Sequence, residues 1–251
     1  MNCNAIKTPR LTTGCDLLAV IAEAIPTLEE RSVLVVTSKV VSLWENAAVA
    51  EPRTRAEKEA IIFSQAQQYT PPSVSKMSTI LTISGNMLSV NAGVDESNVE
   101  SGLLLLPENA YASAQKIWHF LREQYNVKEV GVVITDSVSM PLLWGVVGRA
   151  LSHCGFEPLF NRIGENDLYG REIKMTQMAI SQGIAAAAVL EMGEVAESTP
   201  LCLVTDITAI TFQDSPPTQA EIDAYAIDVD DDVFAPLLKN APWQKGGKWQ
   251  S

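Results

Sequence analysis

The stretch Val132-Val-Ile-Thr-Asp-Ser137 is an apolar, β-branched run that ends in two side chains carrying oxygen atoms. The run from Val130 to Thr135 predicts a buried strand. A strand that ends in Asp136 and Ser137 is a rigid support for a carboxylate and a hydroxyl, and oxygen ligands suit Mg²⁺ or Mn²⁺. A strand-ending turn that binds nothing is the alternative interpretation of the same residues.

The segments on either side of this strand mix helices and strands without a regular βαβ alternation. Short apolar runs at 32–37 and 200–205 predict two more strands, and 78–83 with 87–90 predict a hairpin around Ser84-Gly-Asn86. Helical spacing of apolar residues predicts helices at 17–25, 55–68, 110–125 and 175–191, with a further one after Pro216. We therefore expect an α+β fold with mixed and antiparallel sheets rather than a doubly wound sheet.

The composition describes a folded acidic protein. Of 251 residues, 47% are hydrophobic and 19% charged, which excludes disorder throughout, and the formal net charge is −12. This acidity argues against binding to nucleic acid, which needs clustered Lys and Arg. It also makes an anionic substrate depend on some other source of positive charge.

We expect one domain over 1–251, with two subdomains as an option and a loose tail at 239–251. No secretory signal or membrane-spanning run is visible, because the long uncharged stretches carry polar residues. The cysteines are scattered at positions 3, 15, 154 and 202 and match no zinc spacing. Reduced thiols packed as small apolar residues, in a cytoplasmic protein without a membrane partner, are the expectation.

Three further segments carry chemistry-bearing residues. Val90-Asn-Ala-Gly-Val-Asp-Glu-Ser-Asn98 puts Asp95 after a predicted strand and a glycine, although an Asx-type turn explains it as well. Glu191-Met-Gly-Glu194 places carboxylates at the negative end of a helix, which a nearby cation would stabilise, and solvated glutamates are the alternative. Gly164-Glu-Asn-Asp-Leu-Tyr-Gly-Arg-Glu172 offers Arg171 to a phosphate or carboxylate, or to a loop salt bridge.

Common nucleotide motifs are absent from the sequence. There is no GxxxxGK[ST] and no GxGxxG, so any nucleotide chemistry must use another arrangement of ligands.

Taken together, these segments resemble the F420-0:γ-glutamyl ligases, which add glutamate to a deazaflavin cofactor precursor. The resemblance runs from about Thr8 to about Leu238. It is carried in order by NAGVDESNV at 91–99, LLLLPENAYASA at 103–114, VVITDS at 132–137, GENDLYGRE at 164–172 and MGE at 192–194. Five collinear matches are far more specific than any one of them.

The resemblance implies roles for individual residues. Asp95 and Asp136 take the positions of ligands to a first divalent cation, and Ser137 with Glu194 those of ligands to a second. Asp95, Asp136 and Arg171 are the expected catalytic residues. The positions that resemble nucleotide contacts are Thr8, Pro9, Arg10, Leu11, Ser38, Lys39, Asn98, Met192, Gly193 and Glu194.

The resemblance also implies partners and chemistry. It predicts the family's α+β fold, an intertwined homodimer, GTP (or ATP) as co-substrate, two Mg²⁺ or Mn²⁺ ions, and K⁺ as an additional candidate ion. L-Glutamate would join a carboxylate acceptor such as F420-0 through an acyl phosphate. Phosphoryl transfer needs chiefly positioning and charge neutralisation, which two cations supply.

Two segments depart from the family pattern. Val41-Ser-Leu-Trp-Glu-Asn46 stands where the family has Val-Ser-Lys-Ala-Glu-Gly, so that Leu43 replaces a lysine. Ser137-Val-Ser-Met-Pro-Leu-Leu143 stands where the family has Thr-x-Gly-Arg-x-x-Arg. The acids are kept while anion-binding bases are lost, which suggests a divergent branch with a less anionic or different acceptor.

Three functions therefore compete. The first is a nucleotide-dependent γ-glutamyl ligase acting on F420-0, a folate-like molecule or another carboxylate. The second is a non-catalytic descendant that binds nucleotide and metal, and the third is a metal-dependent hydrolase that uses the same carboxylates.

Overall fold

The computed structural model describes residues 1–75, 77, 79–99 and 101–248, and it confirms an α+β fold with mixed sheets. The helices are α1 Leu17–Ala24, α2 Ser38–Trp44, α3 Arg55–Gln65, α4 Ala110–Tyr125, α5 Ile180–Met192, α6 Gln219–Tyr225 and α7 Ala235–Leu238, with short 3₁₀ turns at Pro72–Val74 and Asn91–Gly93. The strands are β1 Asn2–Ile6, β2 Ser32–Thr37, β3 Ala48–Val49, β4 Gln68–Tyr69, β5 Leu81–Ser84, β6 Met87–Val90, β7 Leu103–Leu104, β8 Val130–Ser139, β9 Val146–Cys154, β10 Leu159–Asn161, β11 Gln177–Ala179, β12 Leu201–Thr205 and β13 Gln244–Lys245.

A five-stranded sheet in the order β1-β12-β2-β8-β9 forms the centre of the molecule. Strands β2 and β8 run parallel, and the other neighbours are antiparallel. Thr37 lies beside Thr135 in the parallel pair, so the ends of β2 and the start of the polar part of β8 meet at one edge. This is the edge at which the candidate site forms.

Both faces of the central sheet are covered, which explains why its inner strands are apolar at successive positions. On one face Leu34 and Val36 of β2 pack with α1 and α4. On the other face Val33 and Val35 pack with α5. The alternation of side chains along a strand therefore sends neighbouring residues into two separate cores.

A smaller sheet in the order β13-β4-β5-β6 packs around a third core that contains Ile62 and Ile80. The predicted hairpin is present as β5 and β6, and Ser78 lies outside the described residues. Its two-residue turn, Gly85-Asn86, has positive φ at both positions (56° and 57°), as a type I′ turn requires.

Several boundaries differ from the sequence predictions because long-range pairing overrides local propensity. Helix α3 ends at Gln65, and Gln68–Tyr69 joins the small sheet as β4. Helix α5 begins at Ile180, since Gln177–Ala179 pairs with β10. Within the predicted tail at 239–251, β13 pairs with β4 and the Gly246 amide donates to the Gln67 carbonyl.

Within the described residues, no helix combines the length and apolar character needed to cross a membrane.

Candidate functional site

A cavity of about 720 Å³ opens at the edge where β2 and β8 meet, between the central sheet and the hairpin β5–β6. All of the predicted site residues except Arg171 line it: Thr8, Pro9, Arg10, Leu11, Ser38, Lys39, Asp95, Asn98, Asp136, Ser137, Met192, Gly193 and Glu194. These residues come from five separate parts of the chain. The fold therefore brings together side chains that the sequence only lists in order.

Asp136 and Ser137 lie inside a strand rather than at its end, which corrects the sequence prediction. Strand β8 continues to Ser139 because β9 pairs with it along its whole polar half. The pairing shifts register between Ile134 and Thr135, where a β-bulge falls on β9. Bulges of this kind re-aim side chains beside functional sites.

The Asp136 carboxyl is largely buried against β2 and β9. Ser38 Oγ donates to its Oδ1 at 3.2 Å, and Arg149 Nη2 lies 3.9 Å from its Oδ2. Burial raises the pKa of Asp136, with the negative charge of Asp95 adding to the rise, while Arg149 and the Ser137 amide oppose it. The site thus holds two carboxylates whose charges repel each other, a condition that a bound cation relieves.

Asp95 sits in the loop after the small sheet and is held by Lys39 of α2. Lys39 Nζ lies 2.9 Å from Asp95 Oδ2 and 2.6 Å from Ser97 Oγ, and the Ser97 amide donates to Asp95 Oδ1 at 2.6 Å. Burial alone would raise the pKa of Asp95, but the hydrogen bonds from Lys39 and Ser97 outweigh it and lower the pKa. Asp95 is therefore held in its charged form.

Glu194 follows α5 and faces Ser137 across the cavity. Ser137 Oγ lies 2.8 and 2.7 Å from the two carboxylate oxygens of Glu194. The preceding Gly193 has φ 77° and ψ 175°, and a Cβ there would lie 2.4 Å from Glu197 Cδ, so the turn requires glycine. The glycine of the MGE segment therefore directs Glu194 towards β8.

The segment 195–198 lines the cavity and is bonded to two distant parts of the chain. Asn98 Nδ2 donates to the Val195 carbonyl at 2.8 Å, and the Thr8 amide donates to the Ser198 carbonyl at 3.0 Å. The segments predicted to contact nucleotide therefore touch each other as well as line the same space. Leu43, at the position where the resemblance predicts a lysine, is buried in this wall.

Arg149 is a basic residue of the cavity that was not among the predicted site residues. It is only 12% exposed, and its guanidinium donates to the Leu88 carbonyl at 2.6 Å and to Ser89 Oγ at 3.2 Å. Its Nε is buried and has no hydrogen-bond partner among the described residues. No sequence motif marked it, because its position depends on the register of β9 against β8.

Arg171 is placed outside the cavity of the single chain. It lies in the exposed 162–176 loop between β10 and β11, where its guanidinium sits 6.0 Å from the centre of the Tyr169 ring. Its backbone amide donates to Asp167 Oδ1 at 2.8 Å, which orders the loop tip.

The donor set of the cavity fits hard divalent cations by its chemistry. Asp95, Asp136, Ser137 and Glu194 offer carboxylate and hydroxyl oxygens, the ligands that Mg²⁺ and Mn²⁺ prefer. In the described part of the chain no three His, Cys, Asp or Glu side chains are grouped closely enough to hold a metal ion by themselves. The oxygen-bearing side chains instead occur as two pairs, the carboxyls of Asp95 and Asp136 and the Ser137 hydroxyl with the Glu194 carboxylate. Such pairs suit ions whose remaining ligands come from substrate.

The four cysteines take no part in this site. None of them forms a disulfide, and Cys154 and Cys202 are buried among apolar residues, where burial raises the pKa of each thiol to about 12. They pack as small apolar side chains, as the sequence analysis expected.

Comparison with known proteins agrees with this arrangement. A family model described as F420-0:γ-glutamyl ligase matches residues 5–206. The coenzyme F420:L-glutamate ligase of Methanopyrus kandleri is 38% identical, over 76% of this chain and 81% of that protein. The enzymes of the same name from Methanocaldococcus jannaschii and Methanothermobacter thermautotrophicus are 33% and 30% identical, over 70% and 78% of this chain and 76% and 84% of theirs.

Proposed function

The chain belongs to the F420-0:γ-glutamyl ligase family and is therefore a ligase. From this premise we propose that it joins L-glutamate to a carboxylate acceptor such as F420-0. GTP or ATP would be the co-substrate. The observation that carries the proposal is the meeting of Asp95, Asp136, Ser137 and Glu194 in one cavity with the predicted nucleotide segments. Such a convergence of oxygen ligands suits phosphoryl transfer more than any other chemistry of these residues.

In this proposal the acceptor carboxylate attacks the terminal phosphorus of the nucleotide, giving an acyl phosphate and the nucleoside diphosphate. The α-amine of L-glutamate then attacks the acyl carbon, the C–O bond to phosphate breaks, and the amine loses a proton. Asp95 with Asp136, and Ser137 with Glu194, would each hold one divalent cation. Mg²⁺ or Mn²⁺ bound there would neutralise charge on the transferring phosphate, with K⁺ as an additional candidate ion.

The basic side chains of the cavity supply only part of the positive charge that a nucleotide needs. Lys39 and Arg149 are both engaged with carboxylates, while the exposed Arg10 lines the cavity mouth and is the better placed of the three to meet phosphate. Positive charge for the nucleotide must therefore come chiefly from bound ions.

The walls of the cavity favour an acceptor less anionic than F420-0. Leu43 lines it at a position where the resemblance predicts a lysine. A folate-like or other carboxylate acceptor is accordingly the second candidate within the same activity.

A homodimer is part of the proposal. The β8–β9 connection and the β10–β11 loop carry large apolar side chains in solvent, with Leu142 and Trp144 fully exposed and Leu168 equally so. Exposed apolar side chains on two consecutive hairpins are typical of an interface between protein chains.

The buried Leu43, which lines the cavity in place of the predicted lysine, supports one competing hypothesis. In that hypothesis the protein binds nucleotide and metal but is not catalytic. Turnover decides between the two. The purified chain is incubated with Mn²⁺, L-glutamate, GTP or ATP, and F420-0 or a folate, and phosphate and product mass are measured. We expect stoichiometric phosphate and glutamylated product, both lost in Asp136→Asn. Nucleotide binding without any phosphate release would favour the non-catalytic function, and hydrolysis of an amide or phosphoester without nucleotide would favour a hydrolase.

A further inference from the structure

Arg149 stands directly across from Asp136 in the antiparallel pair of β8 and β9. The register on the other side of the bulge pairs Ile134 with Ser152, so continuous pairing would have put Ala150 opposite Asp136. The extra residue on β9 is thus what brings a guanidinium to the same face as the buried carboxylate.

The Arg149 guanidinium also forms hydrogen bonds to the smaller sheet, β13-β4-β5-β6. It donates to the Leu88 carbonyl at 2.6 Å and to Ser89 Oγ at 3.2 Å, and both residues belong to β6. One side chain therefore contacts the strand that carries Asp136 and the hairpin that leads to Asp95. Its planar, multi-donor head is suited to such a bridge in a way that a lysine is not.

The backbone between β6 and Asp95 is itself fixed. Asn91 Oδ1 accepts from the Ile80 amide at 3.0 Å, and the Ala92 amide donates to Thr82 Oγ1 at 2.9 Å. The Asp95 amide and carbonyl both bond to Leu104. The adjacent Leu103 shares one apolar core with Ile80, Ala92 and Val94, so a displacement of the hairpin would carry Asp95 with it.

We propose that Arg149 is a positioning residue that ties hairpin β5–β6 to the central sheet and so sets the separation of Asp95 and Asp136 at which a divalent cation binds. The role of those two acids as cation ligands rests on the proposed function, whereas the tie between the sheets does not. Arg149 acts through the two carboxylates and needs no contact with substrate.

The direction in which Mn²⁺ affinity changes when Arg149 is replaced distinguishes a positioning role from a purely electrostatic one. Arg149 is a positive charge beside a cation ligand, so on electrostatics alone its removal should strengthen cation binding. A positioning role predicts the reverse. Mn²⁺ binding to the nucleotide-free chain, followed by the electron paramagnetic resonance signal of free Mn²⁺, reads this sign directly and requires no catalysis.

Two variants and one control complete the experiment. We expect Arg149→Gln to weaken Mn²⁺ binding about tenfold or more, as loss of an outer-sphere partner does. Ser89→Ala keeps the charge and removes one tether, and should weaken binding by a smaller factor in the same direction. Arg31→Gln removes an equal charge at an exposed ion pair with Glu129, away from the cavity, and should leave binding unchanged.

Hydrogen exchange supplies a second readout that does not depend on cations. In Arg149→Gln the amides of β5 and β6 should exchange about tenfold faster while those of β2 and β12 keep their protection. Tighter or unchanged Mn²⁺ binding in Arg149→Gln, or unaltered exchange in the hairpin, overturns the proposal, as does a wild-type chain that binds no Mn²⁺. A wild-type chain that binds Mn²⁺ but forms no glutamyl product refutes the proposed function alone.

Discussion

Ser137 and Glu194 are 57 positions apart in the chain, yet Ser137 Oγ lies 2.8 and 2.7 Å from the two oxygens of the Glu194 carboxylate. The contact joins the polar half of β8 to the turn that ends α5. It brings a hydroxyl and a carboxylate, the proposed ligands of a second cation, within hydrogen-bonding distance of each other.

This pair can be tested by removing the hydroxyl. Ser137→Ala should lower the number of Mn²⁺ ions bound per chain in the presence of nucleotide and cut the rate of phosphate release by about 100-fold, because one ligand of the second ion is lost. Ser137→Thr retains the hydroxyl and should retain both properties. Equal Mn²⁺ stoichiometry in Ser137→Ala and wild type, measured by titration, would count against the assignment.

Removal of divalent cations should abolish nucleotide binding. Four acids line the cavity (Asp95, Asp136, Glu194 and Glu197) against three bases (Arg10, Lys39 and Arg149), and two of these bases, Lys39 and Arg149, are engaged with carboxylates. Without bound ions the triphosphate would face net negative charge, so chelation should raise the Kd for GTP by about 100-fold or more. Calorimetry with and without chelator measures this, with restoration by added Mg²⁺ as the control; binding that survives chelation would contradict it.

We expect Arg171 to act in the cavity of the partner subunit, because it lies outside the cavity of its own chain. Asp136→Asn and Arg171→Gln homodimers should each be inactive. Mixed dimers made by unfolding and refolding the two together should regain about a quarter of wild-type activity, because half of the dimers are mixed and each has one intact site. Activity in the Arg171→Gln homodimer close to wild type would remove Arg171 from the catalytic set.

The exposed apolar hairpin should govern assembly. Trp144 is fully exposed in the single chain, so Trp144→Glu should place a charge in the proposed interface and convert dimers to monomers. Sedimentation equilibrium reads the mass directly. Val233→Glu, an equivalent change at an exposed apolar residue between α6 and α7, serves as the control and should leave the mass unchanged.

Acid should destabilise the protein through His153. It is buried among the rings of Tyr111, Phe156 and Tyr225, its Nδ1 has no hydrogen-bond partner among the described residues, and burial lowers its pKa to about 4, with only partial compensation by Glu221. The folded pKa lies below the unfolded value of about 6.5, so the folded state disfavours the proton. The contribution is complete above about pH 6.5 and is lost as the pH falls towards 4.

Between pH 7 and pH 5 this amounts to about 2 kcal/mol of unfolding free energy. Urea unfolding of wild type at the two pH values should show that loss, and His153→Phe should show less of it. His119→Phe, which alters an exposed histidine of α4, is the matched control. A pH dependence that is the same in His153→Phe and wild type would remove His153 as its source.

The elements that the sequence predicted well are those whose signal is local. The run at 32–37 is apolar at successive positions because β2 is covered on both faces, and Gly85-Asn86 favours a tight hairpin wherever it occurs. Strand β9 went unpredicted, since Gly148, Arg149 and His153 interrupt any apolar alternation over 146–154. Its strand state comes from pairing with β8, which no local pattern contains.

The candidate site divides in the same way. The family resemblance, which five collinear segments carry, implied that Asp95, Asp136 and Glu194 belong to one site. It placed Arg171 with them, and the structure of the single chain does not. It also omitted Arg149, whose position depends on one extra residue in the strand opposite.

Residue types and local patterns were enough to predict the carboxylate and hydroxyl side chains of the candidate site, the family of the chain and the apolar runs that form its central sheet. The tertiary structure alone decided that Asp136 lies within a strand, that Arg149 faces it and also holds the hairpin before Asp95, and that Ser137 reaches Glu194. The physical reason is that composition and periodicity act over a few residues, whereas register and sheet-to-sheet contact are set by pairing between segments far apart in the chain.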